Sequence, residues 1–308
     1  RFIQLFSLMN SIFAQNRETR ELRASIVRYA VVPLSKLCGL ITWVPDSDTL
    51  HQIVCDARKL NKNDKCELKA NYKELDIIRQ ITSIDFSHLT LLQKYEIFQE
   101  VSKEMKADEL FKMMWRRSPN ASEWMKRVKR FTLSSALMSM VGYIIGLGDR
   151  HPSNILIQRS TGNVVHIDFG ESFESTLHRK DFPEKVPFRL TRMIVNSLEG
   201  AIYEGMFSDH CNTIMKVIRD NRSSLMAQLV IFVNDPLRES LLISSQEKED
   251  NTKTTSQIEQ LIKRVEQKLA GDESGTTLTV SEQVESLITE AANPMNYIQH
   301  YIGWCPFW

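Results

Sequence analysis

The segment that most constrains the fold of this chain spans residues 146–170 and reads GLGDRHPSNILIQRSTGNVVHIDFG. It contains two short apolar runs, ILIQ and VVHID, separated by the turn sequence RSTGN. Apolar runs joined by a glycine-containing turn are typical of a β-hairpin. A hairpin over residues 155–168 places Asn154, just before the first strand, beside Asp168, at the end of the second, although the two are distant in sequence.

The polar residues of this segment are the types that phosphoryl transfer requires. Asp149 can orient an attacking hydroxyl, and the Asn154 amide oxygen and the Asp168 carboxylate are hard ligands of the kind that Mg²⁺ prefers. Each residue alone has an ordinary explanation, since an aspartate at a strand end is more often a cap or an ion-pair partner. In combination, the Asp-to-Asn spacing, the hairpin and the Asp-Phe-Gly sequence predict a kinase site.

The composition is that of an ordinary globular protein. The 308 residues suffice for one large domain or two ordinary ones, with 42% hydrophobic and 25% charged residues. A net charge of +1 gives no reason to expect nucleic-acid binding. Five cysteines without CxxC spacing favour a reducing compartment, and no apolar run reaches the length of a membrane span. We therefore expect a cytoplasmic protein.

Apolar spacing predicts that the chain around the hairpin is mostly helical. The predicted helices cover residues 2–13, 90–102, 122–145, 190–233 and 258–269, and the predicted strands outside the hairpin cover residues 26–34 and 39–44. The second half of the helix over 122–145 is expected to be buried, and Gly271 is expected to end the helix before it. Thr279 and Glu282 form a capping-box pattern that predicts a tail helix.

The order of the residues around Asp149 identifies a family. Ordinary protein kinases place a histidine before the catalytic aspartate, whereas here His151 follows it in the pattern Asp-Arg-His-x-x-Asn. This order resembles the phosphatidylinositol-3-kinase superfamily. The resemblance implies that Asp149 and His151 act in catalysis and that Asn154 and Asp168 hold Mg²⁺ or Mn²⁺. The alternative for His151 is a core histidine held by the backbone.

The same resemblance gives a role to the segment GLITWVP at residues 39–45, which looks like the hinge that holds adenine between two lobes. It implies that the Val44 backbone binds the base and that the Trp43 ring stacks on it. The other implied ATP contacts are Tyr29, Ile41, Thr49, Leu156 and Ile167. Simple core packing explains the aliphatic members of this set almost as well.

Two regions favour a protein substrate over a lipid. The activation loop at residues 169–190 has scattered basic residues balanced by acidic ones, instead of the basic cluster of the lipid kinases. The tail, which closes with YIGWCPFW, is similar to the FATC module of the phosphatidylinositol-3-kinase-related kinases and particularly to the target-of-rapamycin branch. The resemblance implies a Ser/Thr protein kinase of growth and nutrient signalling that uses ATP. A lipid kinase, a pseudokinase scaffold and a metal-dependent hydrolase are the alternatives.

The implied fold is α+β: a two-lobed protein-kinase-like fold with a truncated small lobe, a mostly helical large lobe and a C-terminal FATC helix. The predicted limits are 1–48 for the partial small lobe and hinge, 49–240 for the large lobe with an insertion at 57–84, 241–277 for a polar regulatory linker, and 278–308 for the FATC module. A phosphate-covering glycine loop and an ATP-contacting lysine strand are not recognisable. We therefore expect that these residues alone transfer no phosphate.

The resemblance also implies partners. A WD-repeat β-propeller subunit is expected at residues 57–95, together with scaffold subunits that recruit protein substrates. The tail aromatics Trp304, Phe307 and Trp308 offer a membrane contact, and hence an association with endomembranes, but packing onto the kinase lobe is the preferred interpretation. Ile298 and His300 stand where the family has cysteines, which leaves Cys305 without a local partner and puts a tail disulfide in doubt.

Overall fold

The computed structural model describes residues 1–35, 38–60, 73–83, 85–179, 181–233, 251–273 and 275–308. Within it the chain forms two compact units. The first joins Arg1–Val44 to Asn212–Val284, and the second joins Pro45–Cys211 to Glu285–Trp308. Part of the predicted insertion, residues 61–72, and the start of the predicted linker, residues 241–250, lie outside the described residues. The predicted domain limits stay predictions.

Helices account for most of the described chain. They are α1 (Phe2–Gln15), α2 (Arg17–Glu21), α3 (Leu50–Leu60), α4 (Lys73–Ile81), α5 (Leu91–Glu104), α6 (Glu109–Arg116), α7 (Ala121–Ile144), α8 (Arg192–Val195), α9 (Met206–Asp220), α10 (Arg222–Val233), α11 (Asn251–Ala270), α12 (Val280–Ala292) and α13 (Pro294–Tyr297). The strands are β1 (Val31–Pro33), β2 (Gly39–Ile41), β3 (Ser47–Thr49), β4 (Ile155–Gln158), β5 (Val164–His166), β6 (Asp272–Glu273) and β7 (Thr276–Thr277). This mixture confirms the α+β class.

The first unit begins with α1, whose apolar face is buried as its spacing predicted. The buried residues are Leu5, Phe6, Met9, Ile12 and Phe13. The Asn10 side chain donates to the Ile26 carbonyl (2.9 Å) and accepts from the Ile26 amide (2.7 Å). Because Asn10 takes both backbone groups of Ile26, the predicted strand over 26–34 shortens to β1, which pairs antiparallel with β2.

The first unit also contains the helix predicted over 258–269. In the structure α11 begins earlier, at Asn251, so that much of the predicted polar linker is helical. The helix ends where predicted, because Gly271 adopts φ +74°. The Arg219 guanidinium stabilises this end by donating to the carbonyls of Ala270 (2.9 Å) and Leu278 (3.1 Å).

The second unit is built on the sheet β3-β4-β5. The predicted hairpin is confirmed, with Ile155 opposite His166 and Ile157 opposite Val164. Helix α7 covers the hairpin, its second half is buried as predicted, and the Ser134 hydroxyl accepts from the Val164 amide (2.9 Å). Strand β3 was not predicted, since its sequence Ser-Asp-Thr is polar. It pairs with β4, and Asp48 within it binds the Arg159 guanidinium, with Nε–Oδ2 at 2.9 Å.

The helical stretch predicted over 190–233 is interrupted in the structure. It divides into α8, α9 and α10. The break after α8 contains Gly200, at φ +81°, and Gly205, where a Cβ atom would lie 2.1 Å from the Ala201 carbonyl oxygen. The helical pattern predicted over this range did not mark the break, because apolar periodicity continues across a turn that only glycine permits.

The tail forms part of the second unit from residue 285 onward. The capping box that begins α12 is confirmed, since the Thr279 hydroxyl accepts from the Glu282 amide (3.3 Å) and the Thr279 amide donates to the Glu282 carboxylate (2.9 Å). Trp304, Phe307 and Trp308 are buried, in agreement with the packing interpretation. The described cysteines are free thiols, including Cys305. Among the described residues, no helix combines the length and apolarity that crossing a membrane requires.

Candidate active site

The turn after α7 carries the first predicted catalytic residue. Asp149 adopts φ +57°, and so does Asp168 at the far end of the hairpin. This left-handed conformation is unfavourable for residues other than glycine, and it persists only where surrounding contacts enforce it, often at functional sites. For Asp149 one such contact is the Glu184 carboxylate, which accepts from the Asp149 amide at 2.8 Å.

The hairpin brings the two predicted metal ligands together. The Ile167 amide donates to the Asn154 carbonyl (3.1 Å), so the residue before Asp168 lies directly across from Asn154. The side-chain nitrogen of Asn154 (Nδ2) donates to the Asp149 carbonyl (3.0 Å). The side-chain oxygen (Oδ1) is then left as an acceptor for a cation. The Asp168 Oδ1 accepts from the Gly170 amide (3.1 Å), which orients the carboxylate.

These two oxygen ligands fit a divalent ion that is shared with a nucleotide. Within the described ranges, no group of three or more His, Cys, Asp or Glu side chains could hold a metal on its own. Mg²⁺ usually binds to one or two protein oxygens and completes its octahedron with water and substrate phosphates. Asn154 and Asp168 therefore match a metal that arrives with its phosphates better than a permanently bound structural metal.

His151 lies within the same turn. The Ser153 amide donates to His151 Nδ1 (3.2 Å), so the neutral ring carries its proton on Nε2. This Nε2 lies 3.9 Å from the Asp149 Oδ2. Burial lowers the pKa of His151, and the Asp149 carboxylate opposes that shift. The ring is half-exposed and neutral at physiological pH, which suits a hydrogen-bond donor more than a core histidine.

Arg150 is a positioning residue that the sequence did not reveal. It is 3% exposed and donates to the carbonyls of Gly148 (2.7 Å), Ile167 (2.8 Å) and Asp168. One guanidinium thus joins the turn that carries Asp149 to the strand end that carries Asp168. An arginine between an aspartate and a histidine has no distinguishing sequence signal, and only its burial shows this role.

The activation loop contacts the catalytic turn through residues that were also missed. The Arg179 guanidinium lies 2.9 Å from the Glu171 carboxylate, 3.7 Å from Glu184 and 4.0 Å from Asp149. Burial raises the pKa of Glu184. The activation loop approaches the catalytic turn closely at Thr176. A Cβ atom on Gly148 would lie only 2.2 Å from the Thr176 hydroxyl oxygen. The loop is therefore held against the catalytic turn by charge pairs and by a glycine contact.

A second buried arginine connects this region with the tail. Arg189 is 5% exposed and donates to the carbonyls of Trp304 (2.5 Å), Cys305 (2.9 Å) and Arg150 (3.4 Å). Its guanidinium also lies 4.2 Å from the centre of the Trp304 ring. Burial lowers the pKa of Arg189 to about 10. Arg189 and Arg150 thus form a continuous polar connection from the tail backbone to the metal-ligand strand.

The residues predicted to bind ATP divide between the two units. Tyr29, Ile41, Trp43 and Val44 belong to the first unit, and Thr49, Leu156 and Ile167 to the second. In the second unit Thr49 pairs with Leu156 across β3 and β4, so the sheet brings these two together beside the metal-ligand hairpin. In the first unit Trp43 is 85% exposed. The ATP contacts stay predictions.

The fold and the site together define a class. An aspartate held beside a neutral histidine, with an asparagine and an aspartate placed at the two ends of an adjacent hairpin, matches the groups that phosphoryl transfer requires. The reversed order of Asp149 and His151 is that of the phosphatidylinositol-3-kinase superfamily, as the sequence indicated.

Comparison with known proteins gives the family. Residues 1–240 match the family described as phosphatidylinositol 3- and 4-kinase, and residues 277–308 match the FATC domain. The chain therefore belongs to the phosphatidylinositol 3- and 4-kinase family and carries a FATC domain. Both parts of the predicted resemblance are confirmed.

Similar proteins include target-of-rapamycin kinases. The chain is 40% identical to a target of rapamycin homolog of Caenorhabditis elegans over 331 residues, covering 100% of the chain and 12% of the relative. It is 37% identical to the serine/threonine-protein kinase TOR2 of Saccharomyces cerevisiae, covering 99% of the chain and 14% of the relative. The solved FAT and kinase domain of CtTel1 superposes with a TM-score of 0.77 at 26% identity, over 100% of the chain and 20% of that structure. The chain thus spans less than a fifth of the length of these curated relatives.

Proposed function

We propose that this protein is a Ser/Thr protein kinase that transfers the γ-phosphoryl group of ATP, together with Mg²⁺ or Mn²⁺, to hydroxyl groups of protein substrates. The observation that carries the proposal is the juxtaposition of Asp149, His151, Asn154 and Asp168 on one turn and one hairpin. The relatives named as serine/threonine-protein kinases support the same reaction. By the same similarity we place the protein in growth and nutrient signalling.

Each residue has a defined task in this reaction. The Asp149 carboxylate orients the substrate hydroxyl and takes its proton as the bond to phosphorus forms. The Nε2–H of His151 points to the side of Asp149, where it can donate a hydrogen bond to an oxygen of the transferring phosphoryl group. The buried Arg150 keeps the turn and the hairpin in register while this happens.

The divalent metal would be held by the Asn154 Oδ1 and the Asp168 carboxylate. When bound, such an ion neutralises phosphate charge and aligns the leaving oxygen. The orientation of both ligands is fixed before any ligand arrives, because Asn154 donates to the Asp149 carbonyl and Asp168 accepts from the Gly170 amide. Ordering both ligands in advance lowers the entropic cost of binding the metal with its nucleotide.

The basic residues of the activation loop favour a protein substrate over a phosphorylated lipid headgroup. Arg179 is engaged by Glu171 and Glu184, and the Lys185 ammonium donates to the Gln299 amide oxygen at 3.2 Å. Arg189 is buried against the tail. A headgroup site needs cations that are available to an anion, and these three already have internal partners. Lys180 lies outside the described residues.

We also propose a protein partner on residues 57–95, where the family resemblance implies a WD-repeat β-propeller. The described part of this region exposes the large apolar side chains of Leu60 (56%), Ile81 (46%) and Leu92 (70%), none of which lines the pocket at Leu91 and Lys94. Exposed apolar residues that cluster in one region are typical of an interaction surface. Scaffold subunits that recruit substrates, and a cytoplasmic location with contacts to endomembranes, belong to the same proposal and rest on the family alone.

The test uses the complete protein with its companion subunits. Mg-ATP is supplied with a Ser/Thr protein substrate in one reaction and with phosphatidylinositol in another, for wild type and for Asp168→Asn. Protein phosphorylation that the variant loses supports the proposal. Lipid phosphorylation alone would identify a lipid kinase. If neither product forms although ATP binds and the fold is intact, the protein is a pseudokinase scaffold.

A further inference from the structure

Lys94 is a buried cation that the proposed reaction does not use. It lies in the first turns of α5, its side chain is 8% exposed, and its ammonium lies 5.2 Å from the centre of the Phe86 ring. The aliphatic stem is covered by the neighbouring core, as is common for lysines that direct only the charged end to solvent or to a ligand. A lysine this buried normally has an anionic partner.

No such partner is present among the described residues. No carboxylate there lies within ion-pair distance of the Lys94 ammonium, although the neighbouring exposed Lys103 on the same helix pairs with Glu100 at 2.6 Å. Burial lowers the pKa of the Lys94 ammonium. An unpaired buried charge is costly and is stabilised strongly by an anion that can reach it.

The ammonium borders a surface pocket of about 570 Å³ that is open to solvent. Three parts of the second unit line it: the segment from Ser87 to Lys94, the activation-loop residues Asp181, Phe182 and Pro183, and Gln299 of the tail. The titratable groups in this lining are His88, Lys94 and Asp181. Gln299 also accepts from the exposed Lys185. The pocket lining therefore has one lysine, Lys94, and one acidic side chain, Asp181.

One wall of the pocket is connected to the catalytic turn through a single residue. Residues 181–183 directly precede Glu184, whose carboxylate accepts from the Asp149 amide at 2.8 Å. The position of this wall is therefore tied to the position of Asp149.

We propose that this pocket, defined by Lys94 and residues 181–183, binds the carboxylate of an aspartate or glutamate in the protein substrate near the phosphorylated residue. Lys94 is the ion-pair partner, and Phe182 and Pro183 pack on the stem of the acidic residue. The inference rests on the proposed protein-kinase function and adds a substrate preference to it.

The experiment uses the complete protein with its companion subunits and a set of peptides around one serine. A single Glu or the isosteric Gln is placed in turn at each neighbouring position, and kcat and KM are measured for each pair. We expect Glu to exceed Gln by about tenfold in kcat/KM at one position, mainly through KM, as a charge-assisted hydrogen bond would give. Lys94→Met should reduce this ratio to about one, and Lys94→Arg should retain most of it.

Two further variants separate the pocket from general effects. Lys103→Met removes a lysine from the exposed side of the same helix and should keep the Glu-to-Gln ratio of wild type. Asp181→Asn removes the competing acid in the pocket and should increase the ratio. If wild type phosphorylates the peptides but shows no Glu preference at any position, or if Lys94→Met keeps the preference, the pocket inference is wrong and the protein-kinase proposal stands. If no peptide or protein is phosphorylated while lipid is, both are wrong.

Discussion

The second unit contains two clusters of charged residues that differ in what surrounds them. The catalytic cluster of Asp149 and Asp168 is open, with the Asp149 side chain 32% exposed and both backbones at φ +57°. The tail cluster of Arg58 and Arg189 is closed. Arg58 is 2% exposed and is paired with Glu74 (2.5 Å), and Arg189 is 5% exposed and donates to tail carbonyls. The open cluster therefore keeps its charges accessible, whereas the closed cluster uses its charges in internal contacts.

The difference shows how to separate functional from structural charges in this fold. A buried charge that several internal partners hold is costly to remove and contributes to the position of the chain. A partly exposed charge on a strained backbone contributes little to stability and keeps its capacity for a ligand. The two clusters meet at Arg150, which donates to the Asp168 carbonyl and accepts, through its own carbonyl, from Arg189 (3.4 Å).

The largest expected effect is on the open cluster. Asp168→Asn keeps an oxygen acceptor for the Gly170 amide and tolerates positive φ, but it removes the anionic metal ligand. We expect kcat of the complete protein to fall by about 10³-fold or more, because charge neutralisation across the phosphates is lost. The free energy of unfolding should change by less than about 1 kcal/mol.

The matched control for this change is Asp46→Asn. Asp46 also has positive φ (50°), and its carboxylate accepts from the Ser160 amide at 3.0 Å, away from the catalytic turn. The kinase activity of the Asp46→Asn variant should stay near that of wild type. Equal losses in the two variants would mean that any substitution at a left-handed aspartate damages the fold, and the metal role of Asp168 would be wrong.

The second effect, on the closed cluster, is structural. Arg189→Met keeps an unbranched stem but removes the donor to the carbonyls of Trp304 and Cys305, of which Cys305 keeps the Trp308 amide as a donor (3.3 Å). Leaving a buried acceptor unsatisfied costs about 1–3 kcal/mol. We expect hydrogen exchange of the tail backbone over residues 297–308 to accelerate by up to about 100-fold in the complete protein. If protection of the tail is unchanged while activity falls, Arg189 acts on the catalytic turn alone.

The sequence could predict the open cluster because its information is local. Asn154 and Asp168 are joined by a hairpin whose turn and apolar strands are visible in one short segment, and the Asp149-to-His151 spacing lies within one turn. The same holds for α1, α5 and α7, whose apolar periodicity is strong. For these elements local pattern and tertiary packing favour the same structure.

The closed cluster could not be predicted, since its partners are remote in the chain. Arg189 and Trp304 are 115 residues apart, and Arg58 and Glu109 are 51 apart. An arginine in a polar loop looks like a solvated charge, and its role depends on which carbonyls later surround it. The longer break in residues 190–233, between α8 and α9, was missed for a related reason: Gly205 is required by its close approach to Ala201, which apolar spacing does not encode.

The third effect depends on pH and concerns His300, a buried histidine of the tail. His300 is 1% exposed, accepts from the Lys185 amide (3.3 Å), and burial lowers its pKa to about 3. The folded state therefore keeps His300 neutral, whereas the unfolded chain takes up a proton below about pH 6.5. Its stabilising contribution is complete above that pH and is lost as the pH falls toward 3. From pH 7.5 to 5.5 the loss approaches about 1.4 kcal/mol.

His300→Gln tests this origin, because glutamine has no proton to take up in that range. Protection of the tail amides against hydrogen exchange should change less between pH 7.5 and 5.5 in the variant than in wild type. The difference should be about tenfold in exchange rate, after correction for the intrinsic pH dependence of exchange. His166, whose pKa is also lowered to about 3 by burial, remains in both proteins and cancels from the difference. If His300→Gln loses tail protection on acidification as much as wild type does, His300 is not the cause of the pH dependence.

The smallest expected effect is the one that tests the comparison most directly. Arg179 lies in the same activation loop as Arg189 but is 35% exposed, and its partner Glu171 is 39% exposed. Arg179→Met removes the same guanidinium as Arg189→Met. Since exposed ion pairs contribute about 0.2–1 kcal/mol, we expect less than about 1 kcal/mol of destabilisation and no change in tail exchange. If Arg179→Met opened the tail as Arg189→Met does, burial would not be what separates the two clusters. The alternative would be that the activation loop transmits any loss of charge to the tail as a single cooperative element.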